Sequence, residues 1–236
     1  MSAPEPTAVD PAFRPSDYTA ALLQLLLARP EWARDARVLD VGCGSGVLLA
    51  AAGSLGASLL CGVDIEADAV AASARLLSTQ GLDAEVELFQ GDLFAPVRGR
   101  RFDLVLANLP HFPMRPAGVD DRLPSWSSGG GDGRALLDRF LAELDRQLSP
   151  GGQALLVHNA FVDLERTRAR AAFHGLRVEL ADRVLVPLPP AKLERMTAAL
   201  LAREAGHSIH LFGPHAFGEV HVLSLGSSGA EPAGSP

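Results

Sequence analysis

A doubly wound α/β fold built on a mostly parallel, seven-stranded sheet is what the sequence predicts, and three observations predict it. Short apolar or β-branched runs alternate with glycine-containing turns and helical segments through most of the 236 residues, the pattern of parallel strands joined by crossover helices. The first such run opens directly onto a turn with three glycines. Acids then stand at or just past the ends of the next two runs, where ligands bind in sheets of this kind.

The elements follow in order. Residues 1–15 are proline-rich and weakly patterned, so a flexible N-terminus is expected. Asp17 is positioned to cap a helix over 19–28, whose leucines at 22, 23, 25, 26 and 27 are too dense for one stripe and require cover on several sides. Strands are predicted at 37–41, 59–63, 86–89, 102–107 and 153–158, with later ones at 178–186 and 220–225. The helices between them fall near 47–54, 66–79, 133–148 and 160–173. One domain over 16–225 accounts for all of these, with 226–236 a disordered Gly/Ser/Ala/Pro tail. Two long pieces break the rhythm: residues 108–131 after the fourth strand, and an insertion at 187–218 between the last two. Segments of that length in a compact domain are usually functional or disordered.

Composition narrows the function classes. With 47% apolar residues and 21% charged the chain can bury a core, and its net charge of −7 offers no general attraction to phosphate backbones or anionic lipid. That argues against a nucleic-acid partner. No apolar stretch approaches the roughly 18 residues of a membrane span, and the first residues lack the basic and apolar regions of a secretory signal. A cytoplasmic protein without membrane contact is expected. Cys43 and Cys61 cannot make a disulfide framework.

The run Val38-Leu39-Asp40-Val41-Gly42-Cys43-Gly44-Ser45-Gly46 carries the first chemical signal. Without a Cβ, the glycines let the backbone turn tightly and lie against a ligand at the carboxyl edge of the sheet. Val47 breaks the dinucleotide spacing G-x-G-x-x-G, and no Gly-Lys-Ser/Thr follows to cradle phosphates. The second strand leads to Asp64-Ile65 and the third to Asp92-Leu93, in each case an acid followed by an apolar residue. That pairing suits an adenosine, its hydroxyls or amine on the carboxylate and its ring face on the apolar side chain. Each acid alone is equally well a helix cap, but three strand ends in register are harder to dismiss.

Taken together, residues 15–225 resemble the class I S-adenosylmethionine-dependent methyltransferases. The resemblance implies a Rossmann-like sheet in the order 3-2-1-4-5-7-6 with the last strand antiparallel, and S-adenosylmethionine as cofactor over the first two strands. It assigns Asp40, Gly42, Gly44 and Gly46 to the methionine moiety, Asp64 with Ile65 to the ribose side, and Asp92 with Leu93 to the adenine.

The fourth strand ends in Asn108-Leu109-Pro110-His111, where amino-group methyltransferases carry Asn-Pro-Pro-aromatic. In those enzymes the Asn carbonyl and a backbone carbonyl accept the two N–H bonds of an amide or aryl amine, which positions the nitrogen for displacement. Gly129-Gly130-Gly131-Asp132-Gly133-Arg134, together with Pro15 and Thr19, narrows the resemblance to the release-factor glutamine methyltransferases (HemK-like) and their short relatives. There the threonine lies near the cofactor. The glycines read equally well as a flexible linker. The departures matter. Leu109 replaces a stiff proline, and His111 replaces an aromatic with a side chain that can stack and can titrate near neutral pH.

Asn108, Pro110 and His111 are therefore the candidate catalytic residues, with Asn108 also near the cofactor. These departures point to an amine, imidazole or hydroxyl acceptor in place of a glutamine amide, and the expected activity is methylation of a nitrogen (amide, amine or imidazole) of a protein side chain or a small metabolite. The alternatives are an O-methyltransferase using His111 as base and a partner module that binds cofactor without catalysis. Only about 36 residues precede the first strand, too few for the separate recognition domain of the bacterial release-factor enzymes. Within the insertion, 191–205 has helical composition with apolar residues at 193, 196, 200 and 201, ended by Gly206. A lid over the acceptor is the favoured role, and a contact between two copies of the chain is the other. His207, His210, His215 and His221 match no metal-ligand spacing, so no metal is expected.

Overall fold

The computed structural model describes residues 14–82, 84–114 and 128–228. The sheet has eight strands: β1 (Arg37–Val41), β2 (Leu59–Asp64), β3 (Glu85–Gln90), β4 (Phe102–Ala107), β5 (Leu148–Asn159), β6 (Leu176–Pro187), β7 (Ile209–Phe212) and β8 (His215–Ser227). The helices are α1 (Asp17–Ala28), α2 (Val47–Ser54), α3 (Ala67–Ser78), α4 (Ala135–Leu144), α5 (Leu164–Phe173), α6 (Pro190–Leu193) and α7 (Ala198–Glu204).

The strand order is β3-β2-β1-β4-β5-β8-β6, with β7 on β8. β8 lies antiparallel to both β5 and β6, while β1 to β5 pair in parallel. The expected path is thus observed, with β8 as its last strand. The eighth strand, β7, is a correction: it comes from the insertion and folds back on β8 as a hairpin. β8 also extends through Ser227, past the strand end expected at 225; residues 229–236 lie outside the described residues, as do residues 1–13 and most of the loop 108–131.

The period-2 alternation of strands sorts the core into two layers. Leu39, Val41, Cys61, Val63, Val105 and Leu156 face a layer completed by α4 and α5. Val38, Leu60, Leu104, Leu106 and Val157 face the opposite layer, made with the leucines of α1 and with Leu48 and Leu49 of α2. This explains the dense leucines of α1: Leu22 and Leu26 are fully covered.

Two local expectations are revised. Ser16, not Asp17, caps α1; its hydroxyl accepts from the Thr19 N–H and the Thr19 hydroxyl answers the Ser16 N–H, a reciprocal capping box. The helix expected over 191–205 is two helices. Thr197 sits in extended backbone and caps α7 through the Leu200 N–H, which breaks the run where a continuous helix would put Thr197 inside a turn.

The parallel register positions the site. Val41 pairs with Val63 on one side and Ala107 on the other, and Asp64 pairs with Gln90. Gly42, Asp64, Gly91 and Asn108 therefore leave the sheet at nearly one level, around the point where the strand order reverses between β1 and β4. In open α/β sheets that crevice is the binding position.

Candidate active site

A cavity of about 570 Å³ opens over these strand ends. Of the residues expected at the site it is lined by Thr19, Asp40, Gly42, Gly44, Asp64, Ile65, Asp92, Leu93, Asn108, Pro110 and His111. Gly46 does not line it. Gly46 adopts φ +79° as the residue capping α2, and a Cβ there would lie 2.9 Å from the Ser73 backbone on α3. Its glycine serves helix packing rather than ligand approach.

On the β1–β2 side the backbone is arranged around two acids. Gly44 at φ +52° would place a Cβ in open space, so a side chain there would enter the cavity. The Gly44 N–H donates to Asp64 Oδ2 at 2.9 Å and the Glu66 N–H donates to Oδ1 at 3.0 Å, which fixes the carboxylate at the rim. Asp40 is fully buried and its Oδ1 has no hydrogen-bond donor. Burial, with the negative charge of Asp64 added, pushes its carboxyl up to about 8. A cationic ammonium is what this atom lacks, and the methionine moiety of S-adenosylmethionine carries one. Ile65, 64% exposed, and the buried Leu93 present apolar surface to the cavity. Leu93 holds φ +48°, a strained conformation for a side-chain-bearing residue. Asp92 pairs with Arg139 in a half-exposed ion pair, so its carboxylate already has a cation.

On the β4 side, Asn108 Nδ2 donates to Thr19 Oγ1 at 3.1 Å. The carboxamide is thereby oriented, and Oδ1 carries no hydrogen bond among the described residues. The capping threonine of α1 thus has a second use, tying the N-terminal helix to the end of β4. His111 is buried, not a solvent-facing loop residue. Its Nδ1–H donates to the Leu109 carbonyl, and its Nε2 is buried without a partner. The ring meets Tyr18 edge-on at 6.1 Å and stacks on His158 at 6.4 Å. Burial lowers its pKa to about 4, with Lys192 adding to the effect. Burial therefore favours the neutral imidazole, with Nε2 as a hydrogen-bond acceptor.

The glycine segment is built in, not a linker. A Cβ on Gly129 would lie 2.7 Å from the His111 Cα, and one on Gly133 2.7 Å from the His111 carbonyl. The Gly129 N–H donates to Phe112 O at 3.0 Å. Arg134 then runs under this segment, fully buried, donating to Asp163 O, Thr167 Oγ1 and Asp138 Oδ1 and so locking α4 to α5.

Sequence reasoning missed Tyr18, Phe112, Asn159 and Lys192, all of which line the cavity. Asn159 ends β5 as Asn108 follows β4, a parallel that the sequence offered. Among the described residues no cluster of three His, Cys, Asp or Glu is arranged to hold a metal ion, and no helix is long and apolar enough to cross a membrane.

This chain is similar to several known proteins. The family model for ribosomal protein L11 methyltransferase (PrmA) matches residues 18–112. A Methanocaldococcus jannaschii protein that carries the name of a protein N5-glutamine methyltransferase is 30% identical over 176 residues, 74% of this chain and 86% of that protein. A ribosomal RNA small subunit methyltransferase C of Chromohalobacter salexigens is 35% identical over 150 residues, 64% of this chain but only 39% of its own length. The E. cuniculi complex responsible for methylation of the termination factor eRF1 has the same fold, at TM-score 0.58 and 17% identity over 92% of this chain and 98% of that one. With the fold, the glycine turn, the buried acid and a relative aligned over most of both chains, this chain belongs to the class I S-adenosylmethionine-dependent methyltransferases.

Proposed function

We propose that the enzyme methylates the side-chain carboxamide nitrogen of a glutamine in a protein. The observation that carries this reading is the orientation of Asn108: Thr19 holds its Nδ2–H, which leaves Oδ1 free in the cavity as an N–H acceptor. S-adenosylmethionine supplies the electrophilic methyl group. The chain's residues then have to hold a planar nitrogen in line and exclude water, which is most of what such a displacement requires.

The Leu109 carbonyl, the second acceptor implied by the resemblance, already receives the His111 Nδ1–H. A carbonyl has two lone pairs, so one remains, and the His111 bond fixes its direction in place of the missing proline. This supports a positioning role for His111. Asp40, Gly44, Asp64 and Ile65 supply the cofactor side in this reading. A ribosomal RNA amino group is the second reading, motivated by the Chromohalobacter relative. The net charge of −7 weighs against it.

The test is to incubate the enzyme with methyl-labelled cofactor and a ribosome-containing extract, then separate protein from RNA. Label in protein that survives mild base and is released as methylamine by acid hydrolysis supports the amide. Label confined to RNA, or a base-labile ester, would sink it.

A further inference from the structure

The chain contains 20 arginines and a single lysine, Lys192. That lysine belongs to α6 in the insertion, yet it lines the same cavity as Asn108 and His111. Its Nζ stands 4.9 Å from the centre of the Tyr18 ring and 5.1 Å from that of Phe112. Burial lowers its pKa, with Asp17 opposing from outside the cavity lining. Among the described residues no hydrogen bond or ion pair engages the ammonium. The segment is firmly seated: the Leu188 N–H donates to Ala216 O at 2.8 Å, and Met196 and Leu200 are buried in the core.

Other polar atoms around the same space also lack partners. Among the described residues, Tyr18 Oη, Asn159 Oδ1 and His111 Nε2 are buried with no hydrogen-bond partner, and Asn108 Oδ1 has none either. Sorted by chemistry, Asn108, Asn159 and His111 offer acceptors, while Lys192 and Tyr18 offer donors. A primary carboxamide can be held by part of such a set, since its two N–H donors need two of the acceptors and its carbonyl oxygen needs one of the donors.

We propose that Lys192 is a substrate-contacting residue whose ammonium takes the carbonyl oxygen of the acceptor amide, so that the insertion supplies the oxygen half of the acceptor subsite. This deepens the glutamine reading and rests on it. The physical advantage lies in where amide charge goes. For the product to be a neutral amide the nitrogen that takes the methyl must lose one proton, here to solvent water at the mouth of the cavity; the electron pair that proton leaves is shared with the carbonyl oxygen, and a fixed cation beside that oxygen stabilises the charge. The compact ammonium fits between two rings where a planar guanidinium would need more room, which gives a reason for the one lysine of an arginine-using chain to stand here.

The test uses a peptide pool with a central glutamine and randomised neighbours, wild-type enzyme and Lys192→Met. The wild type is expected to methylate members of the pool, and Lys192→Met to lose about 30-fold or more in kcat/KM on those members, with cofactor Kd within about twofold of wild type. The isolated acceptor peptides, added with S-adenosylhomocysteine, should also slow acetylation of Lys192 by trace acetic anhydride about tenfold, whereas S-adenosylhomocysteine alone should not. Equal kcat/KM in the two enzymes, or protection by S-adenosylhomocysteine alone, overturns the lysine assignment while leaving the glutamine reading standing. A wild type that binds cofactor but leaves the whole pool unmethylated overturns the glutamine reading and this inference with it.

Discussion

Asp40 Oδ1 sits beside the glycine turn without a donor among the described residues, and burial with the charge of Asp64 pushes its carboxyl up to about 8, which favours the protonated form at neutral pH. A raised carboxyl pKa means the folded chain binds a proton that the unfolded chain releases between about pH 4 and pH 8. This one group therefore makes the ligand-free protein less stable as pH rises through that window. Pairing with a cofactor ammonium reverses the preference, so binding should release a proton and cofactor affinity should rise by up to about tenfold per unit on going from pH 6 to pH 8. Calorimetry in buffers of different ionisation enthalpy reads the proton directly; a pH-independent Kd with no proton released would remove Asp40 from the ammonium. Asn108 is predicted to behave differently. Asn108→Ala should lower turnover about 100-fold with cofactor Kd unchanged, and Thr19→Val should reproduce part of that loss because the carboxamide is then free to rotate. If both variants turned over like wild type, the orienting bond would have no catalytic meaning. The acids and Asn108 were legible in sequence because each lies at or beside a strand end, a local pattern. The state of His111 was not: it depends on Tyr18 and His158 closing over the ring, contacts that no spacing encodes.

Among the elements, the β1–α2 turn separates two uses of glycine that the motif merges. Gly46→Ala meets the Ser73 backbone at 2.9 Å and keeps a φ of +79°, so a loss of about 2 kcal/mol or more in denaturant unfolding is expected. Gly44→Ala has no neighbour to strike. It should cost about 1 kcal/mol of backbone strain and weaken cofactor binding at least tenfold by placing a methyl group in the cavity. Titrations in which Gly46→Ala binds worse than Gly44→Ala would exchange the two roles. The insertion shows the limit of reading elements one at a time. Its helical composition was legible, as was the sheet order through the resemblance. The hairpin β7–β8 was not, because Ile209–Phe212 is too short to announce a strand without its partner. The position of Lys192 depends on that hairpin and on Leu188 to aim α6 at the far end of β4.

Across the whole molecule, α1 is tied to the end of β4 through Thr19 and Asn108, and the buried Arg134 locks α4 to α5 beneath the glycine segment. Removing Arg134 takes one donor each from Thr167 Oγ1, the Asp163 carbonyl and Asp138 Oδ1, while Thr167 still donates to the Asp163 carbonyl and Arg166 still pairs with Asp138 Oδ2. Because Asp138 is 25% exposed and can be rehydrated, Arg134→Met should cost about 2 to 4 kcal/mol rather than the full cost of an isolated buried charge. A loss within about 0.5 kcal/mol in chemical denaturation would contradict a structural role for the Gly-Gly-x-x-Gly-Arg segment.

The central claim is that the freed Oδ1 of Asn108 holds a glutamine nitrogen for methylation, and site-localising tandem mass spectrometry tests it most directly. Wild type and Asn108→Ala, both saturated with methyl-labelled S-adenosylmethionine, are given the same protein fraction. A methyl group on a glutamine side-chain nitrogen is expected with the wild type and about 100-fold less with the variant. A methyl group located on another side chain, or equal labelling by the two enzymes, would contradict it.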